Sequence, residues 1–310
     1  MHRASVWHAV EVADHAREWG LVPAAQGLQE EGADGVGEGL GSGLLENVGG
    51  MCMNAGHFFH FVCRQYGQAQ GMYEMGLACY VARYGYAHVN TAVSYIGLGA
   101  VYHSQGKHEE ALGAHSKALE IKLKVLGPEH PDVASSYNNL GNVYDSQGKH
   151  EEALGAHSKA LEIRLKVLGP EHPDVAGSYN GLGCVYDNQV KQEEALGAHS
   201  KALEIQLQVL GPEHPDVATS YNGLGEVYRG RGKHEVAMRY HCQALKILLK
   251  VFRDVHPEVA RTKHNMGLVL KSTGKASEAR AMFAEAAAVR RAVLGPDHPH
   301  TNESERLAAE

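Results

Sequence analysis

Cysteine is scarce in this chain of 310 residues: five in all, at 52, 63, 79, 184 and 242, with no CxxC pair among them. A zinc site built on such pairs is excluded, and an odd, unpatterned set suits reduced thiols better than a disulfide framework. Long apolar runs are also missing; none approaches the roughly 18 residues of a membrane span. The opening MHRASVWHAVEVADHAREWG has no continuous apolar stretch, because Glu11, Asp14 and Arg17 interrupt it, which argues against a signal peptide. There is no cluster of Lys and Arg: 29 basic residues stand against 36 acidic ones, a formal charge of -7. Phosphate neutralisation needs a basic stripe, so nucleic acid is not an expected partner, and neither is a membrane. With a hydrophobic fraction of 44%, the balance is that of a soluble globular protein, expected in the cytoplasm.

Glycine and histidine, by contrast, are abundant, with 36 and 21 copies. Both follow a period. The string GPEHPDVA stands at 127–134, 169–176 and 211–218, each 42 residues after the last. Aligning the chain at that interval gives five copies, 88–129, 130–171, 172–213, 214–255 and 256–297, about two-thirds of its length. Periods of 20–50 residues mark stacked repeat architectures.

The copy at 130–171 contains two helices. Pro131 suits a first helical turn, where its missing N–H costs nothing, and Asp132 complements the positive helix end. Tyr137, Leu140 and Tyr144 then recur at helical spacing as a core stripe, and Gly148 closes the helix. A second helix from about Lys149 carries the stripe Ala153, His157, Ala160, Leu161, Leu165 and Leu168. Gly169 and Pro170 end it. GPEHPDVA is thus the stop signal of one helix fused to the start signal of the next. One hairpin cannot bury its apolar face alone, so the hairpins must stack.

The copies thin out toward both ends. Residues 51–87 read as a degenerate first repeat, with Ala69 and Leu77 in register with Ala111 and Leu119. Residues 298–310 begin as another first helix and turn polar, as a capping fragment should. Residues 1–50 lie outside the period. Val6, Trp7, Val10 and Ala13 suggest a short amphipathic helix, and 27–50 has glycine at nine positions; residues 1–50 are expected to be poorly ordered, with 1–45 dispensable for folding.

Tyr137-x-x-Leu140-Gly141-x-x-Tyr144 followed by Ala153-x-x-x-His157 resembles the tetratricopeptide repeat, with Tyr in the usual Trp place. The 42-residue length, LGPEHPDVA and SYNNLGNVY resemble the longer repeat of kinesin light chains. That resemblance implies an all-α, right-handed superhelical solenoid of stacked hairpins, whose concave groove, lined by first helices, binds peptide segments of partner proteins. It implies no enzyme activity and no cofactor. An alternative within the resemblance is a cargo-adaptor subunit of a kinesin-like motor, with a kinesin heavy chain as partner. A second alternative, from another class, is a metal-binding protein or hydrolase using the histidines.

The groove face is expected one residue forward from the tyrosine stripe, about 100° round the first helix. It comprises Asn138, Asn142 and Asp145 in one copy, Asn180 and Asp187 in the next, then Asn222, Glu226 and Arg229, with Lys271 beyond. An Asn amide both donates and accepts, and so suits the main chain of an extended peptide. The acidic residues come first along this face and the basic ones last, which would set a ligand's direction. The histidine ladders at 115/157/199/241 and 130/172/214/256/298 do not suggest a metal array. Equivalent residues of stacked helices lie about 8–10 Å apart per helix contact, and His150 and His157 are seven apart, so KHEEALGAH is no HExxH. The glycine-rich stretch holds neither GxGxxG nor GK[ST], and follows no strand.

Overall fold

Thirteen α-helices and no strand make up the described residues, 42–252, 254–296 and 298–310 of a computed structural model. The pattern around Trp7 and the glycines before residue 42 lie outside them. The chain divides after Gln147 into two units. The first holds α1 (Ser42–His57) with a π-helical extension (Phe58–Val62), α2 (Tyr66–Tyr84), α3 (Val89–Ser104), α4 (His108–Leu126) and α5 (Pro131–Ser146). The second holds α6 (His150–Leu168), α7 (Pro173–Asn188), α8 (Gln192–Val209), α9 (Pro215–Gly230), α10 (His234–Phe252), α11 (Pro257–Ser272), α12 (Ala276–Leu294) and α13 (Pro299–Ala309). Within each unit helices pack as consecutive hairpins, among them α3 with α4, α7 with α8, α9 with α10 and α11 with α12. This is the all-α class that the repeat implied.

The joint between hairpins is capped from both sides. Gly127, Gly169 and Gly211 sit at φ 84°, 83° and 80°, a left-handed conformation that glycine adopts without steric penalty. Three residues on, a histidine caps the next helix: Nδ1 of His130, His172 and His214 accepts the backbone N–H of Asp132, Asp174 and Asp216 at 3.1, 3.1 and 3.2 Å. His88, His256 and His298 do the same for Asn90, Glu258 and His300. Proline then occupies the first helical turn from α5 onward in first helices. The usual capping residues are Ser, Thr, Asp and Asn. Here an unprotonated imidazole does that work, which gives one histidine ladder a structural role.

The other ladder fills a slot. Tyr73, His115, His157, His199, His241 and Phe283 are buried, 42 residues apart, each on the second helix of its copy. Their rings lie against glycines of first helices, so close that no side chain fits between. A Cβ on Gly99 would stand 2.5 Å from His115, one on Gly183 2.6 Å from His199, one on Gly225 2.5 Å from His241 and one on Gly267 2.7 Å from Phe283. His199 also touches Gly223 of the following hairpin, as His157 touches Gly181. One ring therefore fastens its own hairpin and the next.

The structure corrects two expectations and adds a third finding. Residues 42–50 belong to α1 rather than to a disordered leader, and Leu45 and Val48 are buried. Glycine is a poor helix former, but here tertiary packing outweighs propensity: Gly49 accommodates the Tyr80 ring and Gly56 that of Tyr73, where a Cβ would stand at 2.7 and 2.8 Å. Tyr137 and Tyr144 are half-buried rather than core, and Val133, Ala134, Leu140 and Val143 form the buried stripe of α5. Finally, the second helices bury polar side chains. Arg164 Nη1 donates to the Asp174 carbonyl at 3.0 Å and to Ser178 Oγ at 2.8 Å. Lys122 reaches the Asp132 carbonyl, and Arg290 reaches the His300 carbonyl and Ser304. Each satisfies a group at the start of the following first helix, which makes its burial tolerable.

Two measurements probe this packing. Gly183→Ala should lower stability by about 1–3 kcal/mol through overpacking on His199. Gly197→Ala, mid-helix with nothing within 4 Å of the added carbon, should raise it by about 0.5–1 kcal/mol. Equal effects in chemical denaturation would contradict the ring-on-glycine account. Val190 takes φ 61° where the equivalent Gly106 and Gly232 have 73° and 70°. Val190→Gly should therefore stabilise the chain by about 1 kcal/mol by relieving left-handed strain, read as a higher denaturation midpoint.

Candidate functional site

The first helices of the second unit, α7, α9 and α11, carry most of the expected groove residues. Their packing positions are nearly invariant: Val175, Val217 and Val259; Ala176, Ala218 and Ala260; Val185, Val227 and Val269 are all buried. Variation is concentrated elsewhere, at Cys184, Asp187, Glu226, Arg229, Arg261, His264 and Lys271.

The expected asparagine row is not offered to a ligand in this unit. Asn180 is 8% exposed and Asn222 is 0% exposed. Asn180 Nδ2 donates to Ser220 Oγ of the next first helix at 2.8 Å, while its Oδ1 lies 2.9 Å from His199 Nδ1. Asn222 Nδ2 likewise donates to Thr262 Oγ1 at 2.7 Å, and its Oδ1 lies 3.0 Å from His241 Nδ1. The face 100° from the tyrosines is the seam between successive first helices. The row is therefore a set of cross-links that also satisfy the slot histidines. Asn138 in the first unit is half-buried, and Asn142 is exposed on α5 beside half-buried Asp145.

The hydrogen-bond directions around His241 can be followed. Thr262 Oγ1 donates to the Glu258 carbonyl at 2.9 Å, so it accepts from Asn222 Nδ2. This turns Asn222 Oδ1 toward His241, whose Nδ1 must then carry a proton. His241 Nε2 in turn stands 3.2 Å from Glu226 Oε1. The other carboxylate oxygen of Glu226 accepts from Arg229 Nε at 3.1 Å and Nη2 at 2.8 Å. Burial pushes the Glu226 carboxyl up, but the neighbouring His241 ring and the hydrogen bonds from Arg229 outweigh it and hold Glu226 below its usual value. At the equivalent place other copies have Asn142, Cys184 and Leu268, so among the described residues this hairpin alone has the Arg229–Glu226–His241 chain.

Around it the charges alternate. The Asp187 carboxyl is raised, first by burial and then by Glu226, with Arg229 only partly opposing. Arg261 of α11 is held by Glu258 through Nε at 2.9 Å and Nη2 at 2.5 Å, and lies within the field of Glu226. Lys271 is paired with Glu310. Asp187, Glu226 and Arg229 thus lie within electrostatic reach of one another, but both basic positions, Arg229 and Lys271, already hold acidic partners. Sequence reasoning missed Arg261 and Glu258, although Arg261 breaks the repeat where Ser135, Gly177 and Thr219 stand. A charge that interrupts an otherwise small, uncharged position of the period is a signal that the sequence does carry.

Among the described residues no group of three or more His, Cys, Asp or Glu side chains is placed to hold a metal ion, and no helix is long and apolar enough to cross a membrane. All five cysteines are thiols.

The family model described as tetratricopeptide repeat matches residues 53–124, 101–166, 146–199 and 189–250, and a second model of that description matches 259–300. The chain belongs to the tetratricopeptide-repeat family. Among solved structures it is similar to BtubC (BKLC) from P. vanneervenii, at 26% identity and TM-score 0.54, over 66% of this chain and 81% of that one. It is also similar to the nearly identical TPR-like repeats of a kinesin light chain-like protein from P. anserina, at 26% identity and TM-score 0.50, over 64% and 94%. The apo form of RapI shares the fold at 17% identity and TM-score 0.57, over 84% and 96%. No curated protein sequence matches the chain. A tetratricopeptide-repeat fold supports a protein-interaction role in general, and the repeat type here is kinesin light chain-like.

The buried polar chain yields two expectations. Asn222→Ala leaves the His241 Nδ1 proton and Thr262 without their partner and should cost about 2 kcal/mol. Asn142→Ala, at an exposed site, should stay within about 0.5 kcal/mol; equal losses in urea melts would contradict the assignment. Acid should also destabilise the fold. Burial lowers His60, His115, His199 and His264 from 6.5 to about 4, helped by Arg64 at His60, by His103 at His115 and by Arg290 at His264. The unfolded chain takes up these protons below about pH 6.5 and the folded one only near 4. Stability is therefore complete above pH 6.5 and is lost as pH falls toward 4. The melting temperature should fall by several degrees from pH 7.5 to 5; a flat profile would refute the account.

Proposed function

We propose that the protein is a non-enzymatic interaction scaffold whose first-helix face on the second unit captures an extended segment of a partner protein. The observation that carries this reading is where the repeats cease to repeat. Packing positions stay the same from copy to copy, while Cys184, Asp187, Glu226, Arg229, Arg261 and Lys271 differ. A structural array gains nothing from such variation, whereas recognition requires it. Asp187, crowded by Glu226, favours a basic side chain of the ligand. Arg229, Arg261 and Lys271 take an acidic one by exchange with the carboxylates that now hold them. The buried Asn180 and Asn222 serve this face by fixing the spacing of its helices rather than by touching the ligand. In the first unit, Asn138, Asn142 and Asp145 of α5 are the corresponding candidates.

Likeness to kinesin light chain-like structures makes a kinesin heavy chain the first named partner to test, with the protein as cargo adaptor. Photo-crosslinking from the source cell addresses both levels. A benzophenone side chain at exposed Thr219 on α9 should trap a partner, and one at exposed Glu204 on α8 should not. Asp187→Lys should then weaken the trapped partner's affinity at least tenfold at unchanged melting temperature. Recovery only from the second-helix position would overturn the groove reading. Absence of kinesin heavy chain among the trapped proteins would remove the adaptor role alone.

A further inference from the structure

The half-buried tyrosines of the first helices open a different surface. In the first unit Tyr95 and Tyr102 of α3, the counterparts of Tyr137 and Tyr144, form the floor of a trough between α2 and α4 with a cavity volume of about 760 Å³. Glu74 of α2 and Glu110 of α4 stand at its Tyr102 end; burial, and then these two carboxylates, hold that phenol above its usual value. Tyr86 lies toward the Tyr95 end, half exposed, and Lys117 Nζ stands 5.3 Å from the centre of the Tyr95 ring. The rim thus carries two carboxylates and one ammonium group.

The second unit shows what fits over such a floor. Tyr240 of α10 occupies the place that Ala114 has on α4, three periods of 42 residues earlier. Its ring lies 5.5 Å from Tyr228 at 12° and 5.9 Å from Tyr221 at 33°, and these two are the counterparts of Tyr102 and Tyr95. There the chain supplies its own ring. In the first unit the position is Ala114, and a carbon added at the preceding Gly113 would meet nothing within 4 Å. The floor is retained but the ring is missing. The rim is also particular to this trough: later copies have Ser116, Ser158 and Ser200 in the place of Glu74, and Pro128, Pro170 and Pro212 in the place of Tyr86.

We infer that this trough is a second binding site, separate from the first-helix face, which takes one aromatic side chain of a partner protein stacked on Tyr95 and Tyr102, with a neighbouring Lys or Arg of the same segment held by Glu74 and Glu110. Offset stacking supplies the attraction, as it does for Tyr240. The excess of carboxylates on the rim selects the adjacent cation and disfavours an acidic neighbour.

The full chain labelled with 3-fluorotyrosine provides a readout, with the Tyr95 and Tyr102 resonances assigned through Tyr→Phe variants. Titration with the blocked peptide acetyl-Ala-Arg-Trp-Ala-amide should shift both resonances saturably, with an affinity on the order of millimolar for so small a contact. Replacing Arg by Glu in the peptide should weaken binding at least fivefold, and replacing Trp by Ala should abolish it. Ala114→Tyr, which supplies the ring as Tyr240 does, should abolish binding. Glu110→Lys, at an exposed site that folding does not need, should weaken it at least fivefold. Asp187→Lys should leave it unchanged, which keeps this site distinguishable from the first-helix face. No saturable shift at the two resonances, or binding indifferent to both Ala114→Tyr and Glu110→Lys, overturns the proposal.

Discussion

A flat ring pressed against a helix backbone holds this protein together. Tyr73, His115, His157, His199, His241 and Phe283 each occupy volume that a Cβ would claim on a facing glycine. The contact demands glycine on the first helix, sets the distance between the two helices of a hairpin and, for His157 and His199, the distance to the next one. Because a folded interior is close-packed, such a contact admits little variation.

Filling the inner slots with histidine has consequences that a phenylalanine would not. A buried imidazole favours a hydrogen-bond partner, and Asn180 and Asn222 provide one to His199 and His241 from the seam between first helices, whereas Ile96 stands at that position in the copy of His115, whose Nδ1 is left unpartnered. The two asparagines in turn draw in Ser220 and Thr262 of the next helix. Packing within a hairpin and registration between hairpins are thereby joined in one polar chain. At the Phe283 slot no such demand exists, and the asparagine position is free to become His264, which bonds Ser304 instead.

Against this constant framework, chemical variety is confined to surfaces the slot does not use. Glu226 takes the outer nitrogen of His241 and couples the core chain to Arg229 on the first-helix face. Between second helices the tyrosine floor is covered where the chain carries Tyr240 and open where it carries Ala114. Both surfaces arise because a helix in a stacked hairpin has more directions than it has neighbours.

Local rules made much of this legible in advance. The period, the helices and their joints could be read from residues 127–134 and their copies, because a glycine C-cap and an N1 proline act through the backbone of their own turn. Identity at Asp187, Glu226 and Arg229 likewise pointed to a shared face, since helical spacing alone puts them there. What spacing does not say is which direction a neighbour will cover. Hence Asn180 and Asn222 looked like groove residues and are cross-links, and Tyr137 looked like core and is half exposed. The helix through Gly43, Gly49 and Gly50, and the burial of Arg164, were hidden for a related reason: each depends on a partner, Tyr80 or the Asp174 carbonyl, that only the packed chain brings into range. The sequence by itself determined where the hairpins of the 42-residue period begin and end; the tertiary structure decided where the first hairpin starts and which faces remain for function, because burial is a property of the neighbour as much as of the residue.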